Sequence, residues 1–146
     1  MRERLGPVRE RFALTLLDCP PSLGPIAVNA LAAADRVIVP VQAEYLALEG
    51  LVQFLDTLAL VRRDLNPSLE LSGVLITMHD ERTRLSNDVE RELREHFPEL
   101  MFRTVIPRSV RVAESPSYGR PVTEHAPSSS GSEAYRLLAR EVAERG

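Results

Sequence analysis

Short apolar runs alternate with longer stretches of helical periodicity along this chain, and that alternation constrains its fold more than any other feature. An apolar run at 12–17, FALTLL, is closed by Asp18-Cys19-Pro20-Pro21. Such a run bounded by prolines predicts a buried parallel strand. Residues 26–34, rich in Ala and Leu, predict a helix. The β-branched stretch 37–41 predicts a second strand, with Pro40 near its end where a missing N–H is tolerated. Apolar residues recur at helical spacing through 46–65 (Leu48, Leu51, Val52, Leu55, Leu58, Leu60, Val61), and Asn66-Pro67 stops that helix. Residues 71–78 predict a third strand, 83–96 a charged helix, and 102–106 a fourth strand ended by Pro107. A short helix over 110–114, a Pro/Ser/Gly-rich loop over 116–130 and an amphipathic helix over 132–144 complete the chain. Strands alternating with helices define an α/β class with a mostly parallel sheet of about four strands flanked by helices. No internal repeat and no long linker interrupts it, so residues 1–146 are read as a single domain.

Composition removes several chemistries. All 18 basic residues are Arg. A chain without Lys offers no Schiff-base lysine, no lysine base and no phosphate-gripping P-loop lysine. Cys19 is the single cysteine, which excludes a disulfide framework and suits a reducing compartment. The charged start MRERLGPVRERF is unlike a signal peptide, and no apolar run reaches transmembrane length. The expectation is a soluble cytoplasmic protein. A formal charge of -3 argues against nucleic-acid binding by bulk charge and leaves a local Arg patch open.

In parallel sheets the working residues stand at the carboxyl ends of strands. Three segments are expected there: Asp18-Cys19-Pro20-Pro21, Thr77-Met78-His79-Asp80, and Pro107-Arg108-Ser109-Val110-Arg111. Around them, LLDCPPSLGPIAVNALAAADRVIVPVQAEYLALEGL, GVLITMHDERTRLSNDV and FRTVIPRSVRVAESPSYGRPV resemble the ParA/Soj partitioning ATPases in one register. These are deviant-Walker P-loop ATPases, relatives of MinD. The resemblance implies an incomplete P-loop NTPase-like fold that begins just before the Walker B strand, without the KGGVGKT-type loop. It implies ATP and Mg as cofactors of the complete enzyme, non-specific DNA of the nucleoid and a ParB-type protein as partners, and a homodimer around ATP. It implies no membrane contact and a cytoplasmic, nucleoid-associated location. With neither Lys nor P-loop, the chain alone is expected to bind no nucleotide. It is also expected to be marginally stable, since the P-loop strand would lie between the strands at 12–17 and 37–41.

The resemblance also distributes roles. Asp18 matches the Walker B aspartate that holds a magnesium-bound water, the catalytic and metal position; by itself it reads equally as a turn or N-cap Asp. Cys19, Pro20, Pro21 and Gly24 match the second switch, and alone form a rigid turn. Gln42 and Glu44 match positions near the nucleotide and the dimer interface, while Glu44 and Glu49 could equally be solvated acids at a helix start. Met78, Pro107 and Arg108 match the segments enclosing the adenine base; Met78 alone reads as core filling. Arg82 and Arg111 match arginines of non-specific DNA contact, with Arg84, Arg103, Arg108 and Arg120 able to extend the patch, although 18 Arg must cover the surface in any case. His79 reads as a loop residue. His96 and His125 have no companion acid at catalytic spacing and receive no role. Glu133, Glu141 and Glu144 mix with Arg136 and Arg140 on the outward face of the last helix, which argues against a membrane-binding face. Two other readings stay open: a non-catalytic DNA-binding or dimerisation module derived from a ParA paralogue, and a MinD-like positioning ATPase.

Overall fold

The computed structural model describes residues 1–9, 11–20 and 22–145. They divide into two compact units: Met1–Val37 with Gly50–Leu71, and Ile38–Glu49 with Ser72–Gly146. The element order is α1 (Arg2–Arg9), α2 (Pro25–Ala33), β1 (Arg36–Gln42), α3 (Ala47–Asp64), β2 (Glu70–Thr77), α4 (Arg84–His96), α5 (Val110–Glu114), a 3-10 turn (Ser115–Tyr118), α6 (Val122–His125) and α7 (Ser130–Arg145). No helix among the described residues is long and apolar enough to cross a membrane.

The first unit is built on α2 and α3. Pro25 opens α2 at a position whose N–H has no intrahelical acceptor, so the missing donor is harmless. Ala27, Ala30 and Leu31 recur three and four residues apart and are buried. Leu31 packs with Leu58 and Val61 of α3 and with Leu69, and Val28, Phe54, Leu55 and Leu71 surround them. Asn66 is fully buried. Its Nδ2 donates to the carbonyls of Leu31 (2.9 Å) and Ala34 (2.7 Å), and its Oδ1 accepts from Ser68 Oγ at 2.9 Å. The residue read as a helix stop therefore also satisfies carbonyls at the end of α2, which have no intrahelical donor. The strand expected at 12–17 does not form. Its residues are irregular, and Phe12, Leu14 and Leu16 are 62%, 66% and 79% exposed. A strand exists only through a ladder to a neighbour, and the segment has none among the described residues.

The second unit carries most of the β1–β2 pairing. The strands run parallel, the N–H of Ala43 reaching the carbonyl of Thr77 at 3.1 Å. The fourth strand expected at 102–106 is an irregular edge. It bonds β2 in parallel through Val74 N–H to Leu100 O (2.7 Å), Phe102 N–H to Val74 O (2.9 Å) and Ile106 N–H to Ile76 O (2.9 Å), with bridges at Met101 and Pro107. Phe102 and Ile106 lie further apart in sequence than Val74 and Ile76, so the ladder breaks between them. There the N–H groups of Arg103 and Thr104 turn to the Glu141 carboxylate of α7, at 2.8 and 2.9 Å. The α/β class and parallel pairing stand, but the sheet has two strands and this edge among the described residues, not four strands.

Leu75, Phe102, Ile106 and Ala134 form the core of this unit, with Ile38, Leu138 and Val142 against them. Arg145 locks the far end of α7 onto β2. It donates to the carbonyls of Ser72 (2.9 Å) and Met101 (2.6 Å) and to Glu141 (3.0 Å), and lies 4.1 Å over the Phe102 ring. Gly73 makes room for it: a Cβ there would stand 2.6 Å from both Arg145 Nη1 and Leu100 O, and its φ of +155° suits glycine. The loop expected at 116–130 holds the 3-10 turn, α6 and the first residue of α7.

Candidate functional site

In the first unit, Asp18, Cys19 and Pro20 are exposed on the irregular segment before α2. Cys19 Sγ donates to the carbonyl of Leu17 at 3.6 Å. Gly24 is the N-cap of α2, and its carbonyl accepts from Val28 N–H at 3.1 Å. Pro21 lies outside the described residues.

In the second unit, two of the expected strand-end segments meet. The N–H of His79 donates to Ile106 O at 3.1 Å, and the N–H of Arg108 donates to His79 O at 2.8 Å. Met78, Pro107 and Arg108 are thereby brought side by side. Met78 adopts φ +53° and is 38% exposed, so it is not core filling. A left-handed turn at a non-glycine residue is uncommon and turns the chain sharply at the end of β2. Glu44 joins the same place, its Oε1 standing 3.5 Å from Arg108 Nη2. Ala43, Glu44, Tyr45, Asp80, Thr83, Leu85, Ser86 and Arg108 line an open groove of about 520 Å³ here. Gln42, Glu44, Tyr45, Leu46 and Ala47 line a second. Tyr45 is 84% exposed.

His79 is buried, not a loop residue at the surface, and its Nε2 stands 3.0 Å from Glu90 Oε2, off a hydrogen-bonding line. Glu90 also accepts from Arg94 Nε at 2.8 Å. Thr83 caps α4 by accepting from Ser86 N–H, and Ser86 Oγ donates to Ala43 O at 3.4 Å, which ties the start of α4 to the end of β1. Arg82 projects from the turn between β2 and α4. Its Nε and Nη2 donate to the two oxygens of Asp80 at 2.9 and 2.8 Å, and its backbone N–H donates to the same carboxylate at 3.1 Å. These bonds hold the Asp80 carboxyl at about 2, well below its ordinary value. Arg111, on α5, donates to Glu114 at 2.7 Å. Glu114 also meets His125 at 3.1 Å, so His125 does have a companion acid, brought close by α5 and α6 and invisible to spacing along the chain. Arg108 faces Glu44, and Arg103 faces Glu144 at 2.7 Å. The reading of Glu141 as an outward residue is corrected: it is 4% exposed and points inward at the Arg103–Thr104 backbone.

A parallel α/β pairing flanked by helices, with charged segments at the strand ends, places the chain in the α/β class, and comparison with known proteins narrows this to the P-loop NTPase-like fold. A family profile described as "AAA domain" matches residues 1–71. The chain is 58% identical to the chromosome-partitioning ATPase Soj of Thermus thermophilus, over 93% of this chain and 55% of that protein. It is 47% identical to the sporulation initiation inhibitor protein Soj of Bacillus subtilis, over 100% of this chain and 58% of that protein. Among solved structures, cobyrinic acid a,c-diamide synthase of Mycobacterium smegmatis is similar at a TM-score of 0.77 and 35% identity, over 95% of this chain and 50% of that one. The Pyrococcus furiosus cell division ATPase MinD shares the fold, at a TM-score of 0.82 and 22% identity, over 99% of this chain and 57% of that one. The chain belongs to the Soj/ParA family of chromosome-partitioning ATPases. It spans about half the length of the curated relatives it matches.

The phosphate end of a magnesium nucleotide does not fit the residues present. Asp18 is exposed on an irregular segment with no ladder partner among the described residues, and the sequence has no Lys. No hydrolytic step follows from these groups.

Proposed function

We propose that this chain is the part of a ParA-type chromosome- or plasmid-partitioning ATPase that contacts the nucleotide base and DNA, and that it neither binds nor hydrolyses ATP by itself. The observation that carries the reading is the pairing of the Met78–Asp80 turn with Pro107–Arg108, joined by the two backbone hydrogen bonds at His79. What supports the reading is that this pairing lies at the carboxyl end of β2, where open α/β sheets take ligands, with Met78 38% exposed. Arg82 and Arg111 supply phosphate contacts to DNA without reading sequence. In the complete enzyme Asp18 places the magnesium-bound water, Cys19, Pro20, Pro21 and Gly24 act as the second switch, and Gln42 and Glu44 lie at the nucleotide and the dimer interface. Hydrolysis then switches a DNA-bound dimer to a free monomer with the help of a ParB-type protein on the nucleoid.

The test is to join the chain to the N-terminal half of the Thermus thermophilus relative and measure ATP-dependent retention on DNA. Retention is expected, with loss in Asp18→Ala; retention unchanged by that substitution sinks the Asp18 assignment. The chain as it stands is expected to show no ATP binding by calorimetry.

A second reading, a non-catalytic DNA-binding or dimerisation module, is favoured by the exposure of Asp18. DNA retention without any nucleotide, lost in Arg82→Ala/Arg111→Ala, supports it over the first.

A further inference from the structure

Glu114 is the acid against which Arg111 rests. Its Oε1 accepts from Arg111 Nη1 at 2.7 Å and meets His125 Nε2 at 3.1 Å. An ionised carboxylate only accepts, so Nε2 of His125 carries the proton of that bond. His125 is 16% exposed and stacks on Tyr118 with ring centroids 4.5 Å apart. Behind the carboxylate stands a fixed structure. Tyr118 ends the 3-10 turn, Gly119 follows at φ +63°, and the N–H of His125 bonds Pro121 O at 2.9 Å. Both donors draw the Glu114 carboxyl below its ordinary value, His125 most.

Other arginines of this chain pair with acids, and Arg94 does so with Glu90 beside the buried His79, though there the imidazole Nε2 makes no hydrogen bond among the described residues. Arg91 meets Asp88 on its own helix face, at 2.7 Å, and Arg84 takes the same acid. At Glu114 the acid is steadied from another helix by a largely buried imidazole, while Arg111 stays 63% exposed. An exposed ion pair adds little stability, so stability alone gives this arrangement no purpose. What it does is fix a guanidinium that would otherwise sample many rotamers. Ordering such a side chain opposes binding, and a guanidinium already ordered keeps the remaining N–H donors of its planar fork for a phosphate.

We propose that Glu114, buttressed by His125 and Tyr118, is a positioning residue that presents Arg111 to a phosphate of the DNA backbone. The proposal rests on the reading of Arg111 as a DNA contact. The opposite expectation is that a carboxylate beside Arg111 merely neutralises it and repels phosphate, and the two differ in sign.

The experiment joins the chain to the N-terminal half of the Thermus thermophilus relative and, with ATP present, measures its affinity for a short duplex of arbitrary sequence across a salt series, with circular dichroism confirming that each variant folds. Arg111→Ala is expected to lower the salt slope by about one. Glu114→Ala is expected to weaken binding by about threefold to tenfold with little change in slope, because the same phosphates are neutralised. Glu114→Gln, which keeps an acceptor, falls between. In the Arg111→Ala background, Glu114→Ala has no further effect. Arginine side-chain NMR gives the second readout: the Arg111 Nε–H signal is expected to show slow guanidinium rotation in the parent chain and averaging in Glu114→Ala. Tighter or unchanged DNA binding in Glu114→Ala overturns the proposal, as does an Arg111 signal that stays ordered. If Arg111→Ala leaves affinity and slope unchanged, the DNA reading of Arg111 fails and the proposal with it. The NMR signal then shows separately whether Glu114 still orders the guanidinium.

Discussion

Glu141 joins the edge segment to α7 through three contacts at one carboxylate and meets Arg145 of its own helix with a fourth. It accepts from the backbone of Arg103 and Thr104 and from Arg145, and Arg103 Nε stands 3.6 Å away. Burial works against the charge, but the backbone hydrogen bonds and Arg145 outweigh it and hold the carboxyl at about 2 instead of 4.5. A carboxyl depressed in the folded state stabilises the fold at pH values above its unfolded pKa. That stability is lost as pH falls from about 4.5 towards about 2. At neutral pH this linkage is about 3 kcal/mol, taken from the shift and 1.36 kcal/mol per unit. Glu141→Gln is expected to lower stability by about 2–3 kcal/mol at pH 7 and to flatten the acid limb of the stability curve. Urea denaturation at pH 7, 5 and 3 measures both, and equal losses at pH 7 and pH 3 contradict the account.

At the scale of elements, α7 is held at both ends. Arg145 fastens its last turn to β2 over Gly73, and Gly131 brings its first turn against Val112 of α5. A Cβ at Gly73 meets two backbone or guanidinium neighbours at 2.6 Å and the Phe102 ring at 2.8 Å, and its φ of +155° is one that other residues rarely adopt. Gly73→Ala is therefore expected to lower stability by about 2–4 kcal/mol, combining overpacking with backbone strain. Thermal melting measures it. Arg145→Ala alone removes the nearest flexible neighbour, so Gly73→Ala in that background is expected to cost less than in the parent; strict additivity argues against the packing explanation.

Over the whole molecule, each compact unit has its own apolar cluster, Leu31–Leu58–Val61–Leu69 in one and Leu75–Phe102–Ile106–Ala134 in the other. The first unit also carries Phe12, Leu14 and Leu16 at 62%, 66% and 79% exposure. An exposed apolar ridge of this kind favours self-association. Replacing all three with Ser is expected to raise the monomer fraction in sedimentation velocity while changing the melting temperature little, since nothing buried is removed. A large fall in melting temperature instead means that the segment is packed in solution.

Helices α2, α3, α4, α5 and α7, strands β1 and β2, and their parallel class were legible in the sequence, because hydrophobic period and proline or glycine stops are local; α1 and α6 were not. Residues 110–114 and 83–96 read directly as helices for that reason, with Thr83 proving to be the cap of the second. The absence of Lys is likewise read from the sequence alone. The sequence placed Met78, Pro107 and Arg108 at strand ends, but only the tertiary structure brought them side by side. It read 12–17 and 102–106 as strands, since an apolar run does not record whether a neighbour exists to complete its ladder. At 102–106 a carboxylate thirty-eight residues away, Glu141, takes the N–H groups that a strand would have used. The partnership of Glu114 with Arg111 and His125 was likewise decided by the tertiary structure. Spacing along the chain reports which side chains share a helix face, whereas contact between helices depends on how the turns between them close.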